Sequence, residues 1–239
     1  MQCLFARFLA MLPLLWRNRL KVCNPALLWL YFADHLFLQG DMTEQHTTFT
    51  SIKRGGGYLE GQLLVATPLI TESCFNHAVL YLCAHSDDGA MGVILNHTLP
   101  ELNFNKVLQQ LKIPLPTEAI KHPIHLGGPV DAGRGLVLHT PDYLHKDTLL
   151  FNEQIAATSN LQVLRDIAIG EGPKKNLFAL GYASWAAGQL EAEIKANSWI
   201  SVPASPELIF DTPDEQKWQC AAASLGIDLM KLSGDVGHA

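Results

Sequence analysis

"HAVLYLCAHSDDGAMGVILNHT", residues 77–98, holds two runs of aliphatic, aromatic and β-branched residues with a turn signal between them. The runs, about Ala78–Ser86 and Ala90–Thr98, flank Asp88-Gly89, a pair that tolerates the positive φ of a tight two-residue turn. This predicts an antiparallel hairpin, and the neighbouring segments are read around it.

Upstream, "GQLLVATPLI" (61–70) is strand-like as far as Pro68. Downstream, "LNFNKVLQQLKI" (102–113) spaces Leu102, Val107, Leu108 and Leu111 as a helix does. "HPIHLGGPV" (122–130) and "GLVLHT" (135–140) read as a second hairpin joined through "DAGR", and "TLLFNEQIAATS" (148–159) as one strand. Thr158 or Ser159 is placed to cap the helix "NLQVLRDIAI" (160–169), which Gly170 ends. "PKKNLFALGYAS" (173–184) reads as a strand, "WAAGQLEAEIKAN" (185–197) as a helix and "SWISVPA" (198–204) as a strand. In the last helix, Thr212 and Glu215 have capping-box spacing, Pro213 suits the first turn and Gly226 the stop. Strands outnumber short helices, which gives the α+β class and a single domain.

The first 41 residues differ in character. Their apolar runs, Cys3–Trp16 and Ala26–Leu38, are both interrupted and fall short of the roughly 20 residues a membrane-spanning helix requires. A basic cluster, Arg17–Lys21, sits between the runs rather than ahead of them as in a signal peptide. Residues 1–57 are therefore expected to be an extension and polar lead-in, either disordered or the product of an over-extended start, with Met42 as the true start. The domain is expected to span Tyr58–Ala239. An interfacial membrane helix or an extra helical element are the other readings of residues 1–41.

Charge narrows the function classes. Residues 1–41 carry four basic groups (Arg7, Arg17, Arg19, Lys21) against two acidic ones (Asp34, Asp41), a net +2; of the total −6 the remainder thus holds −8. Such a body disfavours direct DNA binding, which needs clustered Lys and Arg. Five scattered cysteines without a Cys-x-x-Cys pair read as reduced thiols of a cytoplasmic protein, a Cys74–Cys83 bridge being the one alternative.

No catalytic signature is complete. The ten histidines include His77, His85 and His97 near the first hairpin and His139 at the end of "GLVLH", but no His-Glu-x-x-His occurs. His77 and His85 share strand parity, yet hydrogen-bonded or surface histidines are the simpler reading. Ser184 in "GYASWAAG" lacks the flanking glycines of a nucleophile elbow, and "GGPVDAGRG" lacks the Gly-Lys-Ser/Thr ending of a phosphate loop. "GGPV" reads as a tight backbone passage or as the floor of a groove. On a helix, Trp185, Gln189 and Glu193 form one stripe, a ring with an amide and a carboxylate suited to recognition. Glu191 precedes Lys195 by four residues, the order of a solvent ion pair.

The ordered series "GQLLVATPLI", "AVLYLCAHSDDGAMGVILN", "HLGGPVDAGRGLVLHT", "GYASWAAGQLEAEIKANSWI" and "GDVGHA" resembles the YqgE/AlgH family of bacterial proteins, from about Gly61 to Ala239. The matching positions are Phe75, Gly89, Ala90, Gly92 and Asn96; Gly127, Gly128, Pro129, Val130 and His139; and Gly181, Tyr182, Trp185, Gly188, Gln189, Leu190, Glu193 and Trp199. His77-Ala78 stands where the family usually has Arg-Ser, Ala84 where an acidic residue precedes the histidine, and Ser184 where a glycine follows alanine. The resemblance implies a bifurcated, mainly antiparallel sheet curled into a pseudo-barrel and flanked by short helices. It implies a role in gene regulation but no established chemistry, and it carries over no catalytic residue, metal ligand or cofactor.

The leading expectation is a non-enzymatic binding or regulatory protein. Its partner, a protein or small molecule of unknown identity, would meet a groove lined by the first hairpin, "GGPV" and the Trp185-Gln189 helix. The candidate residues are His85, Asn96, Gly127, Gly128, Pro129, His139, Trp185, Gln189 and Glu193. The alternative is a hydrolase or metal-dependent enzyme using His85, His139 or Glu193. Oligomeric state is not legible in the sequence, and neither is a firm membrane association.

Overall fold

The structure, a computed structural model, describes residues 59–115 and 120–226. The expected extension 1–57, the start at Tyr58 and the terminal "GDVGHA" lie outside the described residues.

The hairpin forms as the sequence predicts, with one offset. β1 (Gln62–Ala66) pairs with β2 (Val79–Ser86), which turns through Asp87-Asp88 into β3 (Gly89–Ile94). Gly89 is thus the first strand residue rather than a turn residue. Its φ of +132° and a Cβ position only 2.4 Å from the Trp185 carbonyl oxygen explain why glycine stands there. A bulge between Leu82 and Ala84 shifts the alternation of β2 and carries His85 toward the other sheet face. His77 precedes the strand in a left-handed conformation (φ 54°), so it does not share a face with His85.

Helix α1 (Phe104–Gln110) leads to β4 (Ile124–Leu126) and β5 (Val130–His139). These two strands do not pair with one another. Instead β8 (Asn176–Ala186) lies between them, antiparallel to β5 and parallel to β4. "DAGR" is a bulge inside β5 rather than a turn. The segment 148–159 is two strands, β6 (Thr148–Leu150) and β7 (Ala156–Thr158), paired antiparallel. Helix α2 (Leu161–Ala168) is capped by the side chain of Asn160, not by Thr158 or Ser159.

β8 runs on through Trp185, so the tryptophan is a strand residue and helix α3 (Gln189–Lys195) begins only after Gly188, in the left-handed region at φ 72°. β9 (Trp199–Pro203) returns to the edge beside β1. A π-helical turn (Glu207–Asp211) precedes helix α4 (Asp214–Ala223), whose first turn has no side-chain cap. Thr212, expected in a capping box, bonds back to the Glu207 carbonyl instead.

The nine strands among the described residues run β6-β7-β5-β8-β3-β2-β1-β9, with β4 beside β8. β8 makes the fork. Its residues 178–180 take β4 as one neighbour, and 183–186 take β3. Where β3 ends, the Ile94 amide donates to the Gly127 carbonyl at 2.9 Å. The sheet curls into a half-barrel, the bifurcated α+β arrangement expected. One core cluster joins Leu63, Val65, Val79, Tyr81 and Val202 to Trp218 and Ala221 of α4. Burying such side chains stabilises by about 1.5–3 kcal/mol each. A second packs α1 and α2 against Val137, Phe178 and Leu180, and a third packs Leu190 of α3 against Leu82, Trp185 and Trp199. Among the described residues no helix is long and apolar enough to cross a membrane.

Cys83 and Cys220 are free thiols. Cys74 is disulfide-bonded, against the expectation of reduced thiols. Cys74 and Cys83 lie in separate core clusters, which is why they do not bridge one another.

Candidate functional site

The end of β8, helix α3 and the start of β9 converge on one carboxylate. Glu193 Oε2 accepts the indole N–H groups of Trp185 and Trp199, each at 2.8 Å, and Oε1 accepts from Gln189 Nε2 at 2.8 Å. Gln189 Oε1 in turn accepts the Ala186 amide at 3.1 Å. The rings of Trp185 and Trp199 meet edge to face at 5.9 Å, and Phe75 meets Trp199 likewise at 5.8 Å. Both indoles are buried, so an acceptor is required for each N–H. The stripe Trp185-Gln189-Glu193 does come together, through a strand, a left-handed glycine and a helix rather than along one helix. Trp199, which helical spacing could not tie to the stripe, completes it.

His85 sits beside this knot. Its Nδ1 accepts the Leu59 amide at 3.2 Å, which leaves Nε2–H to donate to Glu191 Oε1 at 2.8 Å. Glu191 is therefore joined to a buried histidine of the hairpin, not to Lys195 in a solvent pair. Its own backbone N–H, followed by His85, holds its carboxyl below the ordinary carboxylate value, against burial and the nearby Asp87.

The remaining candidates are scaffold. Asn96 uses both ends of its amide on backbone, accepting from Val79 N at 2.8 Å and donating to the His77 carbonyl at 2.9 Å. Gly127, Gly128 and Pro129 are buried. A Cβ on Gly127 would lie 2.2 Å from the Gly181 carbonyl oxygen, and one on Gly128 2.2 Å from the Tyr182 carbonyl carbon. "GGPV" is thus a backbone-against-backbone passage rather than a groove floor.

His139 is fully buried. Its Nδ1–H donates to the Thr140 carbonyl at 2.8 Å, so Nε2 accepts from the Thr158 hydroxyl at 2.9 Å. Burial holds its imidazole below the ordinary value, opposed by the Thr140 carbonyl and Asp142. His139 pairs with Asn176 at the start of β8, whereas Ala90, the partner of His85, pairs with Trp185 at its end. Nine residue steps along β8 separate the two positions, roughly 30 Å. His85 and His139 do not share a site.

A cluster with no signal in the sequence lies at the fork. Asp214, on the first turn of α4, accepts from His125 Nε2 of β4 at 3.1 Å and from Lys217 Nζ. Both donors' side chains are buried. A sequence separation of 89 residues between His125 and Asp214 leaves no local pattern to find.

A sequence profile described as AlgH-like matches residues 63–230. A UPF0301 protein of Methylobacterium nodulans is 45% identical over 201 residues, 81% of this chain and 96% of the relative. One from Mesorhizobium japonicum is 46% identical, over 77% and 95% of the two chains. The solution structure of the AlgH protein from Pseudomonas aeruginosa superposes with a TM-score of 0.64 at 41% identity, covering 78% of this chain and 99% of that one. A protein from Corynebacterium diphtheriae (TM-score 0.59, 20% identity, 77% and 96% covered) shares the fold. With its forked sheet, its packed glycines and this extent of likeness, the chain belongs to the AlgH-like family of UPF0301 proteins.

Proposed function

We propose that this chain is a non-enzymatic binding or regulatory protein of the cytoplasm whose recognition face is the tip of the β2–β3 hairpin with the start of α3. The observation that carries this is the use of candidate polar atoms inside the protein. Glu193 is committed to two indoles and an amide, His85 to Glu191 and the Leu59 amide, and His139 to Thr158 and Thr140. A general base needs a nitrogen or oxygen turned toward a reacting proton, and these groups are turned toward the fold. What they do instead is rigidify. Asp87, Asp88, Ala186, Ala187 and Gly188 are exposed on a frame fixed by Glu193 and Glu191, and a preorganised frame lowers the cost of binding. The transcription-linked side of the proposal comes from family resemblance, and the acidic body favours a protein or small-molecule partner over direct DNA binding.

The test is affinity capture from native bacterial extract with the whole chain as bait, against an Asp88→Arg/Ala187→Arg control of matched stability. Bound proteins, nucleic acids and small molecules would all be identified. A component held by the unaltered chain and lost from the control supports the face. Identical recoveries from both baits would remove it.

A further inference from the structure

Helix α4 covers the inner face of the half-barrel on its β1–β2 side, through Trp218 and Ala221. The Trp218 indole donates to the Ala66 carbonyl at 2.7 Å and fixes the helix there. Toward β3, β8 and β5 the same face carries Met91, Ala179 and Leu136. Register sets its polar rim. Met91 pairs with Ser184, so the two side chains share the inner face, and Tyr182 packs against the same cluster. The β5 bulge (131–134) lies against Gly181, where a Cβ would come within 3.2 Å of Ala132 Cα. Alternation back from Leu136 puts Arg134 on the inner side of this break. A guanidinium and two hydroxyls, all half-buried, thus border an apolar sheet face.

We propose that this rim is the docking site of the chain's own residues 227–239, with the Asp235 carboxylate on the Arg134 guanidinium. The segment follows Gly226, in the left-handed region at φ 70°, and so leaves from the helix that already lies on this face. Its thirteen residues can span about 40 Å. That exceeds the roughly 36 Å of β8, at eleven residues the longest strand described. The order of residue types follows the face outward from α4. Ile227, Leu229, Met230 and Leu232 come first and match Met91, Ala179 and Leu136; Gly234-Asp235-Val236-Gly237 comes next and matches the rim. The two glycines let the backbone come close to the sheet, and Asp235 supplies the carboxylate that a half-buried guanidinium pairs with. A docked segment closes the apolar inner face, so a ligand for that face must displace it.

The test is hydrogen exchange of the whole chain at neutral pH, at two protein concentrations, read over 229–236 and over the rim (134–138 and 177–184). Amides of 229–236 should exchange at least about tenfold more slowly than those of an unstructured chain. Arg134→Glu and Asp235→Arg should each speed exchange of the segment and the rim by about threefold to tenfold. The double reversal should bring both back to within about twofold of the parent. Exchange of 229–236 at the unstructured rate in the unaltered chain would overturn the proposal. So would a double reversal no better than the two single changes combined. Protection of 229–236 that grows with protein concentration would give the face to a second copy of the chain, and would overturn it too.

Discussion

Glu193 and Trp185 are joined by a 2.8 Å hydrogen bond from a strand's indole to a helix's carboxylate, and the accepting oxygen also holds Trp199. Three elements, β8, α3 and β9, are thereby tied at one atom. Removing the carboxylate would leave two buried indole N–H groups without an acceptor, each worth about 1–3 kcal/mol. Glu193→Ala should therefore cost about 2–5 kcal/mol in urea unfolding, and Glu193→Gln, which keeps one oxygen, less than half as much. A cost below about 1 kcal/mol for the alanine variant would mean the knot is not structural.

The same packing changes the expected behaviour of Trp185. At 6% exposure it is a core residue, so Trp185→Ala should cost about 3–5 kcal/mol. This is why the capture experiment uses exposed Asp88 and Ala187. A Trp185→Ala variant as stable as the parent in thermal melts would return the indole to the surface face.

Gly128 is the most tightly enclosed of the candidate glycines, with φ +155° and Tyr182 backbone 2.2 Å from where a Cβ would sit. Gly128→Ala should cost about 3 kcal/mol or more, because backbone rather than a flexible side chain must move. Gly133, in the β5 bulge, has nothing within 4 Å of its Cβ position. Gly133→Ala should stay within about 0.5 kcal/mol of the parent. Similar costs for the two, measured by denaturant unfolding, would contradict the close passage at the fork.

What was legible in the sequence was local or periodic. The β2–β3 hairpin could be read because a turn dipeptide separates two apolar runs, and α2 because its apolar spacing is helical. Adjacency in sequence suggests that β4 and β5 pair as a hairpin, but β8, about fifty residues beyond β4, inserts between them. "WAAGQLEAEIK" has helical periodicity throughout, which puts Trp185 on a helix in any local reading. Only the left-handed Gly188 breaks it, and glycine alone does not announce which way the chain turns. The site residues were found from types and family resemblance, but their partners (Trp199 for Glu193, Glu191 for His85) come from the tertiary fold.

The His85–Glu191 pair ties the hairpin to α3 and makes part of the stability acid-sensitive. The folded-state value of Glu191 is depressed, so its contribution is present above the ordinary carboxylate value of 4.5 and is lost as pH falls through the folded value. Its side chain is 39% exposed, so salt screens the effect. Glu191→Gln, which still accepts from His85 but carries no charge, should be less stable than the parent near neutral pH and converge with it as pH falls through the folded value of Glu191. Superimposable acid limbs of the two chains would show that the carboxylate's charge contributes nothing.

His139 should act in the opposite half of the sheet and in a milder pH range. The His145 amide donates to Thr148 Oγ1, and the Thr148 and Thr158 hydroxyls lie 2.8 Å apart. Since Thr158 must donate to His139 Nε2, its oxygen accepts from Thr148, and the chain has one direction from β6 through β7 to β5. A proton on Nε2 would oppose that last donation. With the folded-state value depressed by burial, the stability tied to neutral His139 is complete above 6.5 and is lost as pH falls below it. Exchange of the amides of β6 and β7 should therefore rise between pH 6.5 and 5. Thr158→Val, which leaves Nε2 without its donor, should raise their exchange at neutral pH and cost about 1–2 kcal/mol. Exchange of β6 and β7, corrected for intrinsic exchange, that did not change between pH 6.5 and 5 would exclude a local role for His139.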